Sequence, residues 1–234
     1  MEESLSILPR LWQLLLPQDC LLCGAPSGPG LLCGECLAEL PRPGEPCPVC
    51  AEASPAGQIC GACLKHAPAF DGSRAAFRYA FPTDKLVQAL KYQHRLGVAA
   101  FFANAMLSAG RPEGDLILPL PLAARRLRER GFNQAVEIAR PLAQATAIPL
   151  VLDACRRTRD TLSQATLPWQ ARRRNVRGAF ECALDLTGMT VIVVDDVMTS
   201  GATLDEFAAT LKARGAARVV NWVACRALRG NPPD

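Results

Sequence analysis

The chain has 234 residues, and nowhere does it hold a run of about eighteen apolar residues free of charge, so no transmembrane helix is expected. A basic leader is also missing: the first charges, Glu2 and Glu3, are acidic, and no small-residue cleavage site follows the apolar patch behind them. Neither a Walker lysine nor a G-x-G-x-x-G loop is present, which excludes the commonest nucleotide-binding loops. No low-complexity tract interrupts the pattern. What remains is a chain half apolar in composition, sufficient for one medium domain and a small module. Residues 1–19 read as a short amphipathic helix with Leu8, Trp12 and Leu15 on one face, packed on the body of the protein.

Charge is distributed unevenly. Residues 1–70 hold three bases (Arg10, Arg42, Lys65) against seven acids, a net −4, and the rest holds 23 bases against 15 acids, a net +8. The basic part suits phosphates, whether on a small molecule or on a nucleic-acid backbone.

Eight of the 11 cysteines form four C-x-x-C pairs: Cys20/Cys23, Cys33/Cys36, Cys47/Cys50 and Cys60/Cys63. Two-residue spacing lets both sulfurs of a knuckle turn onto one ion, and two knuckles build the tetrahedral sulfur cage that zinc prefers. This stretch is rich in Pro and Gly and poor in large apolar groups, so metal must supply the stability a small core cannot. Disulfides would need an oxidising compartment. A redox C-x-x-C stands alone near a βαβ unit, and the C-P and C-x4-C hallmarks of iron–sulfur ligation are absent. About two structural zinc ions are therefore expected. The spacing leaves the pairing open between sequential cages, which need the shortest loops, and a cross-braced arrangement. Cys155, Cys182 and Cys225 stand apart and read as spectator thiols.

The cysteine-rich module is placed at residues 20–68 and a second domain at 69–234. In the latter, strand-like residues around Phe70–Tyr79 precede helices over Asp84–Tyr92 and Val98–Ser108, a strand at Leu116–Leu120, and a helix at Gln134–Ala145 that Pro141 should kink or confine. Apolar strands recur at Val191–Val194 and Val219–Ala224 around a helix at Leu204–Arg214. Short apolar strands alternating with helices predict an α/β fold, a parallel sheet covered on both faces.

The segment Val191–Thr203, VIVVDDVMTSGAT, concentrates the chemistry. A buried strand ends in Asp195 and Asp196, at the carboxyl end where ligands of open α/β sheets gather. A hydroxyl-rich turn follows, and Thr203-Leu-Asp-Glu206 matches a capping box. Backbone N–H groups and a positive helix end attract phosphate. Thr199, Ser200 and Thr203 can add hydroxyl donors, while Gly201 and Ala202 keep the turn slim. Beside a phosphate, two acids suit vicinal ribose hydroxyls or a magnesium ion. Together the parts predict a site for ribose 5-phosphate.

This segment resembles the type I phosphoribosyltransferase signature. The chain as a whole resembles the ComF (ComFC-like) family of competence-associated proteins, through its cysteine-rich start, Leu90-Lys-Tyr92, Leu118-Pro-Leu-Pro121, Arg130-Gly-Phe-Asn-Gln134 and Asp195–Thr203. Ser200 stands where threonine is expected, with the hydroxyl kept, and Pro141 within a helix is a second departure. The resemblance implies a parallel-sheet phosphoribosyltransferase domain behind a double zinc ribbon. It implies that Asp195 and Asp196 hold ribose hydroxyls, that Thr199–Thr203 cradle the 5-phosphate, and that Arg125 and Arg126 meet the pyrophosphate of phosphoribosyl pyrophosphate. Magnesium would bridge ribose and pyrophosphate. Residues 155–177, with Arg172, Arg173 and Arg174, fall where the fold carries a mobile loop. Lys91, Arg130 and Asn133 are further candidates. The expected setting is cytoplasmic, in natural transformation. Two function classes remain open: a transferase with an unknown acceptor, and a non-catalytic protein that binds single-stranded DNA or docks with DNA-uptake proteins.

Overall fold

The computed structural model describes residues 18–159 and 176–228. Of the helix expected over 1–19 only residues 18 and 19 are described, and Gln18–Asp19 form a short strand rather than a helical end; residues 1–17 and the three arginines Arg172, Arg173 and Arg174 lie outside the described residues.

In chain order the cysteine-rich module holds β1 (Gln18–Asp19), β2 (Pro26–Gly28), α1 (Gly34–Ala38) and α2 (Gly61–Lys65). The larger domain follows with β3 (Gly72–Arg78), α3 (Thr83–Gln93), α4 (Gly97–Ser108), β4 (Leu116–Pro119), α5 (Ala124–Arg130) and α6 (Gln134–Thr146). Then come β5 (Cys155–Arg157), β6 (Phe180–Cys182), β7 (Thr190–Met198), α7 (Ala202–Ala213) and β8 (Arg218–Arg226). The central sheet runs β3-β8-β7-β4, every pair parallel.

Period-two alternation along these strands feeds two separate cores. Ile117, Ile192, Val194 and Trp222 face α3, α4 and α6, through Leu86, Leu90, Phe102 and Ile138. Leu116, Leu118, Val191, Val193 and Val223 face the other way, onto Leu204, Phe207, Ala208 and Leu211 of α7. The two cysteine clusters divide the same way: Cys20 packs with the first core and Cys47, Cys50 and Cys63 with the second. Burial of both faces explains why β4 and, from Val191 on, β7 are apolar until their carboxyl ends, while in β3 and β8 the buried Ser73 and Asn221 are joined by a hydrogen bond of 3.1 Å.

Three expectations are corrected. Helix α6 continues through Pro141 rather than stopping near it; the ring removes the N–H that would reach Glu137, and buried Ile138, Ala139 and Leu142 hold the turn in place. The capping box at Thr203–Glu206 does not form. The helix starts at Ala202 with Gly201 as its cap, and Glu206 Oε1 instead accepts from the Gly178 N–H at 2.6 Å. Cys155 and Cys182 are not isolated thiols, for they face each other across the antiparallel pair β5–β6. That hairpin frames the segment expected to be a loop. Helix α5 was not anticipated, its four arginines giving no apolar stripe.

Candidate functional site

Strand β7 delivers Asp195 and Asp196 to the carboxyl end of the sheet, beside the loop β4–α5 and the start of α6. A cavity of about 240 Å³ opens there, lined by both aspartates, by Met198, Thr199, Gly201 and Thr203, and by Lys91, Arg126 and Arg130. Tyr79, Gln88, Tyr92, Gln134 and Arg157 complete its wall.

Asp196 is buried, and its Oδ2 lies 2.6 Å from Lys91 Nζ. Burial alone would raise its pKa, but the Lys91 charge and hydrogen bond, with Arg130 behind them, hold the carboxyl below its ordinary value. Asp195 moves the opposite way: burial first, and then the charge of Asp196, push it well above the usual carboxylate range. The two carboxyls are thus driven in opposite directions, with the Lys91 ammonium favouring the ionised form of Asp196. Burial, followed by the charge of Asp84, raises the Tyr79 phenol to about 12, so it remains a donor at neutral pH.

The turn after β7 is shaped by Gly201. Its φ is +79°, a backbone conformation that favours glycine, and a Cβ there would displace the end of the Met198 side chain, 2.8 Å away. Among the described residues no protein acceptor takes the backbone N–H of Ser200 or Gly201, while Ser200 Oγ accepts from the Ala202 N–H at 3.2 Å. Free N–H groups at the start of a 12-residue helix make an anion cradle.

The other candidates are sorted by the fold. Arg130 ends α5, donates to Gln134 Oε1 at 3.0 Å and lies 5.5 Å above the Tyr92 ring. Asn133 caps α6 by accepting from the Ala135 N–H and donates to the Leu120 carbonyl, which ties the β4–α5 loop to that helix. Arg125 points elsewhere, pairing with Glu129 at 2.8 Å on the exposed side of α5, whereas its neighbour Arg126 faces the cavity. Ser200 and Ala202 line a second, smaller hollow behind the turn, next to Cys50, Cys63 and Phe70. Arg157, Gln88 and Tyr79 carried no motif in the sequence. Gln88 could have been found from its place one turn before Lys91 on α3; Arg157 could not, because β5 is only three residues long.

The cysteines resolve into two cages, Cys20/Cys23/Cys33/Cys36 and Cys47/Cys50/Cys60/Cys63, with the four sulfurs of each within 4.8 Å of one another. The sequential pairing is the one adopted. Cys23 and Cys33 sulfurs are 3.7 Å apart and those of Cys50 and Cys60 3.6 Å. These match the edge of about 3.8 Å of a tetrahedron with zinc–sulfur bonds of about 2.3 Å. Among the described residues no helix is long and apolar enough to cross a membrane.

Comparison with known proteins agrees with both modules. A family model for a double zinc ribbon domain matches residues 11–64, and one for a phosphoribosyl transferase domain matches residues 129–234. The chain is 34% identical over 218 residues to DNA utilization protein YhgH of Salmonella typhi, covering 89% of this chain and 84% of that one. It is 30% identical over 171 residues to competence protein F of Haemophilus influenzae, covering 68% and 75%, and 32% identical over 111 residues to competence protein ComFC of Bacillus subtilis, covering 45% and 42%. With the cages, the parallel sheet and the acid-ended strand all in place, the chain belongs to the ComF family, a phosphoribosyltransferase domain joined to a double zinc ribbon.

Proposed function

We propose that this protein binds phosphoribosyl pyrophosphate with magnesium and transfers its phosphoribosyl group to an acceptor. The observation that carries the reading is the turn after β7, where the Ser200 and Gly201 N–H groups have no acceptor among the described residues and the turn follows directly on the Asp195/Asp196 pair. In this reading the turn takes the 5-phosphate and the acids accept from the ribose hydroxyls. Lys91, Arg126, Arg130 and Arg157 face the leaving pyrophosphate, with Arg172 and Arg173 as further anion contacts. Catalysis then consists of positioning and of stabilising negative charge on the leaving group, with no protein nucleophile. Magnesium would supply charge neutralisation to the pyrophosphate, and the Asp196 carboxylate is a hard oxygen donor of the kind it prefers. The zinc ions are structural, since each four-cysteine cage leaves no open position. A cytoplasmic setting, where thiols stay reduced, fits eight metal-binding cysteines.

The test is calorimetry with phosphoribosyl pyrophosphate with and without magnesium, followed by a nucleobase screen for pyrophosphate release. Replacing Asp195 and Asp196 by asparagine should weaken binding well beyond tenfold, about 1.4 kcal/mol or more. Unchanged affinity in a folded variant would reduce the acids to caps of the strand.

A second reading is supported by the names of the relatives, a DNA utilization protein and two competence proteins, together with the basic charge of the larger domain. In that reading the domain is a non-catalytic binder of single-stranded DNA or a docking partner in DNA uptake. Its salt dependence, worked out in the Discussion, separates the two.

A further inference from the structure

Arg226, at the end of β8, is among the largest fully buried side chains, and the sequence offered no reason to notice it. An arginine is buried only when its charge and its five donors are matched. Here Nε donates to the Cys50 carbonyl at 2.8 Å and Nη2 to Glu52 Oε2 at 2.7 Å, both in the second cysteine cage's segment. Nη1 donates to the Met198 carbonyl at 3.1 Å and also to the carbonyls of Thr199 and Ala227. One guanidinium thus joins the second cage to the first two residues of the anion-binding turn.

The geometry of the peptide unit gives this link a consequence. In a trans peptide the C=O of one residue and the N–H of the next point in opposite directions. Holding the Met198 and Thr199 carbonyls on Arg226 turns the Thr199 and Ser200 N–H groups away from the cage. The other end of the turn is held from the same side, where Asp205 Oδ1 accepts from the Ala69 N–H at 2.7 Å. Among the described residues no such side-chain tie runs from the first cage to the turn, and its Cys20 packs with the opposite core.

We infer that Arg226 is a positioning residue for the turn Met198–Thr203, through which metal in the second cage, and not in the first, sets the orientation of the turn's N–H groups. That those groups receive a phosphate rests on the function proposed above; the mechanical coupling does not. Glu52 fixes the guanidinium, Arg226 holds the Thr199 carbonyl and shares the Met198 carbonyl with the Ala227 N–H, and the Cys50 carbonyl connects the guanidinium to a metal ligand. When the second cage lacks metal, this anchor is lost and the turn samples other orientations.

The experiment measures backbone hydrogen exchange of the full chain by mass spectrometry, zinc content, and calorimetric titration with ribose 5-phosphate. Arg226→Lys keeps the charge but cannot span the carbonyls and the carboxylate. Glu52→Gln keeps the shape and removes one anchor. Both should retain two zinc ions, raise exchange across residues 197–205 at least about tenfold, leave β4 within about twofold, and weaken ribose 5-phosphate by a similar factor. Cys60→Ser in the second cage should loosen the same peptide. Cys23→Ser in the first should remove one zinc and leave that peptide within about twofold of the parent. Exchange at 197–205 unchanged in both anchor variants, or raised equally along the whole chain, overturns the coupling. If Arg226→Lys does not fold, Glu52→Gln decides alone. If the parent protein binds no ribose 5-phosphate yet the anchor variants still loosen the turn, the ligand reading fails and the coupling stands.

Discussion

Replacing Lys91 by methionine should destabilise the protein by about 3 kcal/mol at neutral pH, because it strands the Asp196 charge. The two groups meet at 2.6 Å with side chains 20% and 11% exposed. Breaking a buried pair by removing one partner costs about 3–5 kcal/mol, and the residual exposure of Lys91 places this pair at the low end. For a chain of this size that corresponds to a fall in Tm of about 6–12 °C. The pH dependence gives the prediction its shape. In the parent, Asp196 has a folded pKa below its unfolded value, so its contribution is complete above about pH 4 and is lost as pH falls through the folded value. In Lys91→Met, burial is unopposed by the ammonium and the carboxyl pKa rises above the unfolded value. The resulting penalty is full at high pH and relieved as pH falls through the raised value, so the gap between variant and parent narrows from pH 8 to pH 5. Asp196→Asn in the same background should recover part of the loss at pH 7 by removing the stranded charge. Urea unfolding followed by circular dichroism at pH 5, 7 and 8 reads all three. A Lys91→Met variant within about 0.5 kcal/mol of the parent at every pH would show that the ion pair is solvated and that Lys91 does not hold the Asp196 charge.

Protein purified without added metal should contain about two zinc ions, and a chelator should expose residues 20–63 before the sheet unfolds; iron, or eight cysteines in disulfides, would refute the cage assignment. Gly201→Ala should cost about 1–2 kcal/mol from the positive φ, with the Met198 side chain shifting to make room and phosphoribosyl pyrophosphate affinity falling at the same time; a thermal melt and a titration check both. DNA binding, where it occurs, should weaken steeply with salt and depend little on sequence, since counterion release dominates it. Replacing Arg172, Arg173 and Arg174 by alanine should weaken DNA and phosphoribosyl pyrophosphate alike, whereas Asp196→Asn should weaken only the latter; tight DNA binding at high salt with no phosphoribosyl ligand bound would favour the non-catalytic reading.

The chemistry legible in the sequence is of the kind that short-range geometry dictates. Four C-x-x-C knuckles specify sulfur cages because two residues are the spacing that turns both thiolates to one ion. The apolar strand ending in Asp195 and Asp196 and the turn into a helix were legible because every part of them lies within thirteen consecutive residues, and the structure places them at the carboxyl end of the sheet. The parallel sheet could be read from its apolar strands for the same reason. The tertiary structure decided everything that depends on distant residues meeting. It chose sequential cages over cross-braced ones, placed Arg126 in the cavity and Arg125 outside it, and brought Lys91 from α3 onto Asp196. It made Asn133 a clamp on Leu120, and it added Arg157 and Tyr79 to the wall. Arg226 is the clearest case: in the sequence it is one arginine at the end of a strand, and its five bonds reach back as far as Cys50, 176 residues earlier. Local spacing cannot encode such a contact, because a buried charge is defined by what surrounds it, and its surroundings exist only once the chain has folded.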